Sequence, residues 1–97
     1  MAFIQIVDLH TSKLDEIKAL EEEWRGATEG KRTLRRSIVT RDRKDPDHYL
    51  VLAFFDSFES AMENSQLPET ESFGARQAAL ADQPMEFVDL DVVEDRS

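Results

Sequence analysis

Residues 49–55, YLVLAFF, are the most hydrophobic segment of the chain, and they decide the fold prediction. In an extended strand alternate side chains point to opposite faces, and here every side chain on either face is apolar or aromatic. A strand of this kind is typical of the centre of a sheet that is covered on both sides. The sequence therefore predicts a buried central strand at this position.

Three further segments have the composition of strands. Residues 3–9 (FIQIVDL) form a short apolar run, which predicts a buried strand. Residues 33–41 (TLRRSIVTR) are rich in β-branched side chains but mixed on both faces, which indicates an edge strand. Residues 85–94 (MEFVDLDVVE) alternate valine or leucine with aspartate, which predicts a last strand with one apolar face. The charged stretch around Pro46 predicts a hairpin loop before the central strand.

Helical spacing appears after the first and third strands. Ser12 is predicted to cap the first helix, with Asp15 completing a capping box, and the helix should fade near residues 26–30. Asp56 or Ser57 is predicted to cap the second helix, with Glu59 placed for its capping box. Pro68 should interrupt this second helix, because proline cannot continue a helix from its interior, and a further helical piece follows over about residues 69–81.

The order strand-helix-strand-strand-helix-strand predicts an α+β domain of the ferredoxin-like βαββαβ type. Its four-stranded antiparallel sheet should carry the helices on one face. The other face of the central strand is also apolar, and a monomer rarely exposes so large an apolar patch. We therefore expect residues 1–97 to form a single domain that pairs with a second copy of itself, sheet against sheet.

The segment HYLVLAFFDSFESAMENSQLPETESFGARQ, residues 48–77, resembles a known family. A hydrophobic strand that ends in a polar residue, then a capped helix and a helix-breaking proline, is similar to the dimeric α/β-barrel superfamily, and in particular to antibiotic biosynthesis monooxygenase-like domains. The resemblance implies a homodimer whose two sheets form a barrel, with the helices outside and a pocket in each subunit. Some members of this superfamily oxidise aromatic polyketides without metal or flavin, others degrade haem, and several have no known activity. The haem-degrading members use an asparagine on the first strand and a tryptophan and a histidine in the region of the second helix. Here the first strand has only Gln5 as an amide, and neither a tryptophan nor a histidine follows Phe55, so that no cofactor is predicted.

The overall composition limits the kinds of partner that the protein is expected to bind. The formal net charge of −9 disfavours nucleic acid and anionic membrane, and no run has the length of a membrane helix. The chain has no cysteine, which excludes disulfides and thiolate chemistry and fits a cytoplasmic location. The charge is uneven: residues 31–44 hold seven basic residues against one acid, Asp42, whereas residues 83–97 hold five acids against one arginine. These segments belong to the predicted edge strands, so that the basic edge of one copy could approach the acidic edge of the other.

Candidate ligand-binding residues are the polar or amphipathic groups on otherwise apolar elements. A polar side chain in such a place needs a partner, which a ligand or a neighbouring residue can provide. The predicted pocket residues are Gln5, Trp24, Arg36, Tyr49 and Asn64. Each has an alternative as an ordinary structural residue: Trp24 can pack on the sheet, and Gln5 can bond a neighbour or lie at the dimer seam. Arg36 stands between Leu34 and Ile38 on a face that is expected to point inward.

The two histidines, His10 and His48, both stand beside predicted strand ends. Ordinary surface or loop positions are expected for them, with proton transfer as the alternative. The cluster of Asp42, Asp45, Asp47 and His48 lacks the glycine and terminal glutamate of a calcium loop and is interleaved with basic residues. A solvated hairpin is therefore expected, and no metal site is predicted.

Two functions follow from these patterns. One is a cofactor-independent monooxygenase-like enzyme, or a binder of a small apolar or aromatic metabolite, in which Arg36 stabilises negative charge, Gln5 and Tyr49 orient oxygens, and Trp24 forms a wall. The other is a non-catalytic dimeric assembly or small-molecule sensing domain. No catalytic residue is assigned. An apolar cavity between the helices and the sheet would favour the first function, and a solid interface would favour the second.

Overall fold

The computed structural model describes residues 2–97. Four strands and three helices follow one another along the chain. They are β1 (Phe3–His10), α1 (Leu14–Ala27), β2 (Arg36–Arg41), β3 (His48–Phe55), α2 (Phe58–Ser65), α3 (Pro68–Leu80) and β4 (Glu86–Asp91). The helices are too short or too polar to be transmembrane segments, a statement that covers residues 2–97.

The four strands form one antiparallel sheet in the order β2-β3-β1-β4. This confirms the predicted ferredoxin-like α+β fold, with β3 inside the sheet and β2 and β4 at opposite edges. The register aligns Phe3 with Phe55 and His10 with His48 across β1 and β3. Because side chains alternate, this register sorts the residues of all four strands between two faces.

One face of the sheet packs against the helices and contains the core. Leu9 and Tyr49 on this helix face pack with Ile17 of α1, and Leu80 at the end of α3 joins them. A second cluster joins Phe3 and Phe55 to Ala61 of α2 and to neighbouring side chains. Helices α1 and α3 also contact each other directly. All the strand residues that anchor these clusters belong to the same face, as the alternation predicts.

The opposite face of the sheet, called the open face here, has a band of apolar side chains that crosses all four strands. Its apolar side chains are Ile4, Ile6, Ile38, Leu50, Leu52, Phe54, Val88 and Leu90. None of them belongs to either core cluster of residues 2–97. Val88 and Leu90 are 45% and 40% exposed, so the β4 side of this face is open to solvent.

Two predicted helix caps were wrong in detail. Helix α1 has Lys13 at its N-cap position and no side-chain cap, because Ser12 is turned toward Asp82. In α2, Ser57 is the cap as predicted, but the capping box is closed by Ser60 and not by Glu59. Pro68 starts α3 at its first turn, where the missing amide proton costs nothing, so the predicted interruption is confirmed.

The second strand is shorter than predicted, and this changes which face its first residues occupy. Strand β2 begins at Arg36, because Thr33 is held by α2: its amide donates to Asn64 Oδ1 and its hydroxyl donates to the Ser60 carbonyl. Leu34 therefore packs beside the Phe3 and Phe55 cluster before the strand alternation starts.

Candidate functional site

A cavity of about 520 Å³ lies between the helix face of the sheet and helices α1 and α3. Most of its wall is apolar, and four aromatic side chains contribute to it: Trp24, Phe55, Phe73 and Phe87. Its polar lining residues come from the strands and from all three helices. They are Gln5, Lys18, Glu21, Ser37, Asn64, Ser65, Thr70 and Gln77. An apolar chamber with a few polar groups is the usual form of a small-molecule site.

The structure brings three of the five predicted pocket residues together. Gln5 from β1, Trp24 from α1 and Asn64 from α2 all line this cavity. Tyr49 lies on the helix face but is packed into the Leu9 and Ile17 cluster, outside the cavity wall. Its ring faces the Arg41 guanidinium at 5.4 Å, and its hydroxyl lies 3.3 Å from Arg41 Nη2.

Arg36 lies on the open face, so the expectation that it points inward with Leu34 was wrong. The register pairs Arg36 with Phe54, and its guanidinium lies 5.8 Å from the Phe54 ring centroid. The error has a simple physical source. The sequence analysis extended the strand alternation back to Leu34, whereas that residue precedes β2 and reaches the core from an irregular segment. The helix-face position on β2 next to Arg36 is occupied by Ser37.

Asn64 is the buried polar group of this cavity, with only 7% of its surface exposed. Its Oδ1 accepts a hydrogen bond from the Thr33 amide at 3.2 Å, which fixes the orientation of the side-chain amide. Across residues 2–97 the structure records no acceptor for its Nδ2 group. This nitrogen is not itself fully enclosed, so it reaches the cavity surface, where it is available to an oxygen of a bound molecule.

Trp24 is held in place as one wall of the cavity. Its indole nitrogen donates to Thr70 Oγ1 at 2.9 Å, so that the ring joins α1 to α3. The ring of Phe73 lies 6.1 Å away in a tilted arrangement, and the Arg32 guanidinium lies 6.0 Å from the indole. Since both ring and indole nitrogen are fixed, Trp24 offers a rigid flat surface for an aromatic ligand.

Gln5 is oriented by a neighbour on the β4 side of the cavity. Its Nε2 donates to Asp89 Oδ1 at 3.0 Å, and the register places the two residues side by side on the helix face. For Gln5, a hydrogen bond to a neighbouring residue was the predicted alternative to ligand binding, and the bond to Asp89 is of this kind. It leaves Gln5 in the cavity wall with a fixed amide direction.

The sequence analysis missed a polar network at the β2 side of the cavity. Arg25 donates to Glu21 Oε1 through Nε and Nη2 at 3.2 and 3.1 Å, and Nη2 also donates to Ser37 Oγ at 3.0 Å. The Ser37 hydroxyl lies 3.3 Å from the same Glu21 oxygen. The i, i+4 spacing of Glu21 and Arg25 on a helix could have revealed the ion pair. The contact of this ion pair with Ser37 could not be predicted in the same way, because it depends on how α1 crosses the sheet.

A second polar cluster lies on the open face, at one end of β1 and β3. His10 and His48 are strand residues that face each other across the sheet, and their rings stack with centroids 4.2 Å apart. Asp8 Oδ1 lies 2.7 Å from His48 Nε2 and 3.5 Å from His10 Nε2. On the other side of its ring, His48 Nδ1 lies 3.0 Å from Asp42 Oδ2. Both histidines stay partly exposed at strand ends, as expected, but they belong to the strands and not to loops, and both contact Asp8.

The two carboxylates raise the pKa of His48. Its hydrogen bond to Asp42 is the largest cause, and the bond to Asp8 adds to it. The pKa of Asp42 is lowered, first by the hydrogen bond from the Lys44 amide and then by His48. A raised histidine pKa means that the folded state favours the charged form. The contacts of His48 with Asp42 and Asp8 therefore stabilise the fold below the ordinary histidine pKa. This contribution is lost as the pH rises through the raised value.

Asp42→Asn should therefore destabilise the protein more at about pH 5.5 than at about pH 8.5, on either side of the ordinary histidine pKa of about 6.5. The reason is that the variant removes the charge that favours protonated His48, and this matters only while the imidazole is protonated. Thermal unfolding of the two proteins at both pH values measures the difference. An equal loss of melting temperature at the two pH values would contradict the proposed interaction of protonated His48 with Asp42.

No protein-family model and no curated protein matches the sequence. Solved structures do match in fold. Rv0793 from Mycobacterium tuberculosis is 13% identical, with all of both chains covered and a TM-score of 0.78. A structure described as an antibiotic biosynthesis monooxygenase is 17% identical, covering 97% of this chain and 100% of its own, with a TM-score of 0.73. SnoaB, a cofactor-independent oxygenase from Streptomyces nogalater, is 11% identical, covering 97% of this chain and 94% of its own, with a TM-score of 0.76.

These comparisons confirm the resemblance predicted from residues 48–77. The chain has the fold of the antibiotic biosynthesis monooxygenase domains over nearly its whole length. At identities of 11 to 17% the likeness concerns the fold, and the same fold hosts different activities. Function must therefore be argued from the cavity.

Proposed function

We propose that the protein binds a small planar aromatic metabolite in the cavity between the helices and the sheet, and that it oxidises this metabolite without a cofactor. The observation that carries the proposal is the apolar cavity of about 520 Å³ with the buried Asn64 amide in its wall. This volume lies within the range of about 300–1,000 Å³ that is usual for small-molecule sites. The likeness in fold to a cofactor-independent oxygenase supports the choice of reaction.

The cavity favours an aromatic molecule that carries an acidic hydroxyl or an acidic CH₂ group. Trp24 offers a flat wall, and Asn64 Nδ2 can donate a hydrogen bond to the oxygen of the corresponding anion. A hydrogen bond to a charged group contributes about 1.5–3 kcal/mol, so this contact would favour the anion over the neutral molecule. We therefore assign to Asn64 the anion-binding role that was predicted from the sequence for Arg36.

The proposed reaction uses dioxygen as the oxidant. Among the lining residues that the structure describes, Glu21 is the only carboxylate. Its Oε1 is bonded to Arg25 and Ser37, and in the proposed reaction its other oxygen accepts a proton from the substrate. The resulting electron-rich anion gives its electrons to dioxygen. One oxygen atom becomes a carbonyl oxygen on the former CH₂ carbon, and the other leaves as water with the two hydrogens, so that atoms and electrons balance. Asn64 stabilises the charge on the substrate oxygen throughout.

Fluorescence of Trp24, the only tryptophan of the chain, provides a direct test of binding. Two quenching probes are compared: 4-nitro-1-naphthol, which is an anion at neutral pH, and 1-nitronaphthalene, which lacks the hydroxyl. Both should quench Trp24 with saturation. Asn64→Ala should weaken binding of the anion by about 10- to 100-fold, the loss of one charge-assisted hydrogen bond, and should leave 1-nitronaphthalene nearly unchanged.

The ratio of the two affinities serves as the internal control. Asn64→Ala also removes the acceptor of the Thr33 amide, so any general loosening of the cavity should affect both probes alike. An equal loss for both probes would contradict the donor role of Asn64. Absence of saturable quenching in the unmodified protein would contradict the binding site itself.

We further propose that two copies pair through their open faces. The apolar face described above lacks a covering layer in the core of residues 2–97, and an exposed apolar patch of this kind usually marks an interface. Edges β2 and β4 carry the basic and acidic segments and lie on opposite sides of the sheet, as complementary pairing of two copies requires. Within one subunit Lys31 already pairs with Glu69, and Arg35 pairs with Asp56, so the remaining basic residues would supply the contacts between copies.

The open face also supports a second candidate function, a dimeric assembly or sensing domain without catalysis. The two candidates are separated by adding a planar aromatic compound with an acidic CH₂ group under air and following oxygen uptake after probe binding has been shown. Oxygen consumption that Glu21→Gln abolishes would support the enzyme. Binding without consumption would support the sensing domain.

The single-domain organisation of residues 1–97 and a cytoplasmic location stay predictions.

A further inference from the structure

The cluster of Asp8, His10 and His48 on the open face has the composition of a metal site. One donor atom from each of these three residues lies within 4.8 Å of the other two. We propose that the three side chains bind a divalent transition-metal ion of the zinc class. No metal site was predicted from the sequence, because His10 and His48 are brought together only by the pairing of β1 with β3.

Regular backbone structure holds the three ligands together. Asp8 and His10 are two residues apart on β1, so both project from the same face of the sheet. His48 is the first residue of β3 and stands directly opposite His10 in the antiparallel register. Ligands that project from paired strands keep their spacing better than ligands on a loop, which favours a defined site.

Asp42 gives independent support for the proposal. Histidines that bind metals usually donate their other ring N–H to a carboxylate, which orients the ring and makes the binding nitrogen more basic. His48 has this arrangement, because Nδ1 is bonded to Asp42 while Nε2 lies 2.7 Å from Asp8 Oδ1. Asp42 is itself oriented by the Lys44 amide at 2.8 Å, so the supporting carboxylate is fixed as well.

The ligand set and its surroundings indicate which ion would bind. Two imidazoles and one carboxylate suit zinc and its first-row neighbours, whereas magnesium and calcium prefer oxygen ligands. Three protein ligands leave a fourth tetrahedral position for water. Asp42 and Glu86 add negative charge nearby, since Glu86 pairs with Asp8 across β1 and β4. Since Asp42 holds His48, it is the His10 ring that would turn out of its stacked position, so that its Nε2 meets the ion beside Asp8 Oδ1 and His48 Nε2.

Titration with zinc and cobalt chlorides tests the proposal. Calorimetry at neutral pH should show one zinc ion per chain, and cobalt should give the intense visible absorption of a four-coordinate site. Magnesium and calcium chlorides should not compete. His10→Ala and His48→Ala should each lower zinc affinity at least a hundredfold, and Asp42→Asn should lower it about 10- to 100-fold through the orientation of His48. Asp47→Asn, which removes a carboxylate of the same loop outside the cluster, is the matched control and should bind zinc as the unmodified protein does.

A measurement on the unmodified protein covers the case in which a variant fails to fold. The chain has only two histidines, so the imidazole resonances of both can be followed by NMR during zinc addition. Both sets of resonances should shift together and saturate at one equivalent. Unchanged resonances, or zinc affinity retained when both histidines are replaced, would overturn the proposal. The result is independent of the proposed oxidation, because the cavity lies on the opposite face of the sheet.

Discussion

Leu52→Lys is expected to convert the proposed dimer into a monomer. Leu52 lies at the middle of the open face, paired with Ile6 on one side and with Ile38 on the other. In the paired sheets a lysine at this position would be buried without a partner charge, which costs several kcal/mol. Even about 3 kcal/mol corresponds to about a hundredfold weaker association. Sedimentation equilibrium of the two proteins measures the change.

The matched control for this variant is Ala78→Lys. It adds the same charge at an exposed residue of α3, on the helix side of the sheet and outside both charged segments, so association should remain nearly unchanged. The unmodified dimer should also weaken as sodium chloride is raised, because salt screens the attraction between the basic and acidic edges. A stable monomer of the unmodified protein at micromolar concentration would refute the interface. So would a Leu52→Lys variant that stays dimeric.

Gly74→Leu should abolish probe binding while making the protein more stable. Gly74 lines the cavity from α3, and a Cβ atom there would meet no other atom within 4 Å. The larger side chain can therefore enter the free space that the probe needs. Glycine inside a helix costs about 0.8–1.0 kcal/mol relative to alanine, so leucine should also raise the free energy of unfolding. Quenching of Trp24 and thermal unfolding measure the two effects.

Gly26→Leu provides the control for that experiment. Gly26 lies within α1, has equally free space around it and is not part of the cavity wall. This variant should gain similar stability and keep full probe binding. If both leucine variants bind the probes equally well, the cavity is not the binding site. If both variants lose binding, the effect comes from changes to the helices in general, and the result would not support the cavity as the binding site.

The fold could be predicted because its signals are local. The two-faced apolar run of β3, the turn residues near Pro46 and the break at Pro68 each act within a few residues, and the structure agrees with them. The helix caps were less predictable, since Ser12 and Asp15 fit the capping pattern but Ser12 turns to Asp82 in a distant part of the chain. A tertiary contact of this kind overrides a local preference without leaving a sequence signal.

The candidate sites depend on register, and register could be predicted only in part. Arg36 was assigned to the wrong face because β2 starts later than its β-branched composition indicates, and side chains beyond a strand end no longer alternate. His10 and His48 are separated along the chain by the whole of α1 and β2, and only the pairing of β1 with β3 joins them. Asn64 was predicted only as a polar group that could point into the cleft between helix and sheet, and its burial is seen in the structure alone.

The position of β1 inside the sheet has a consequence for how the chain folds during synthesis. The β2 and β3 hairpin is local and can form early, whereas β1 pairs with β3 and with β4, which are far from it along the chain. The sheet is therefore complete only when the last strand has left the ribosome. Until then β1 exposes an unpaired apolar edge, which is prone to aggregation, so we expect nascent chains that end before β4 to engage chaperones.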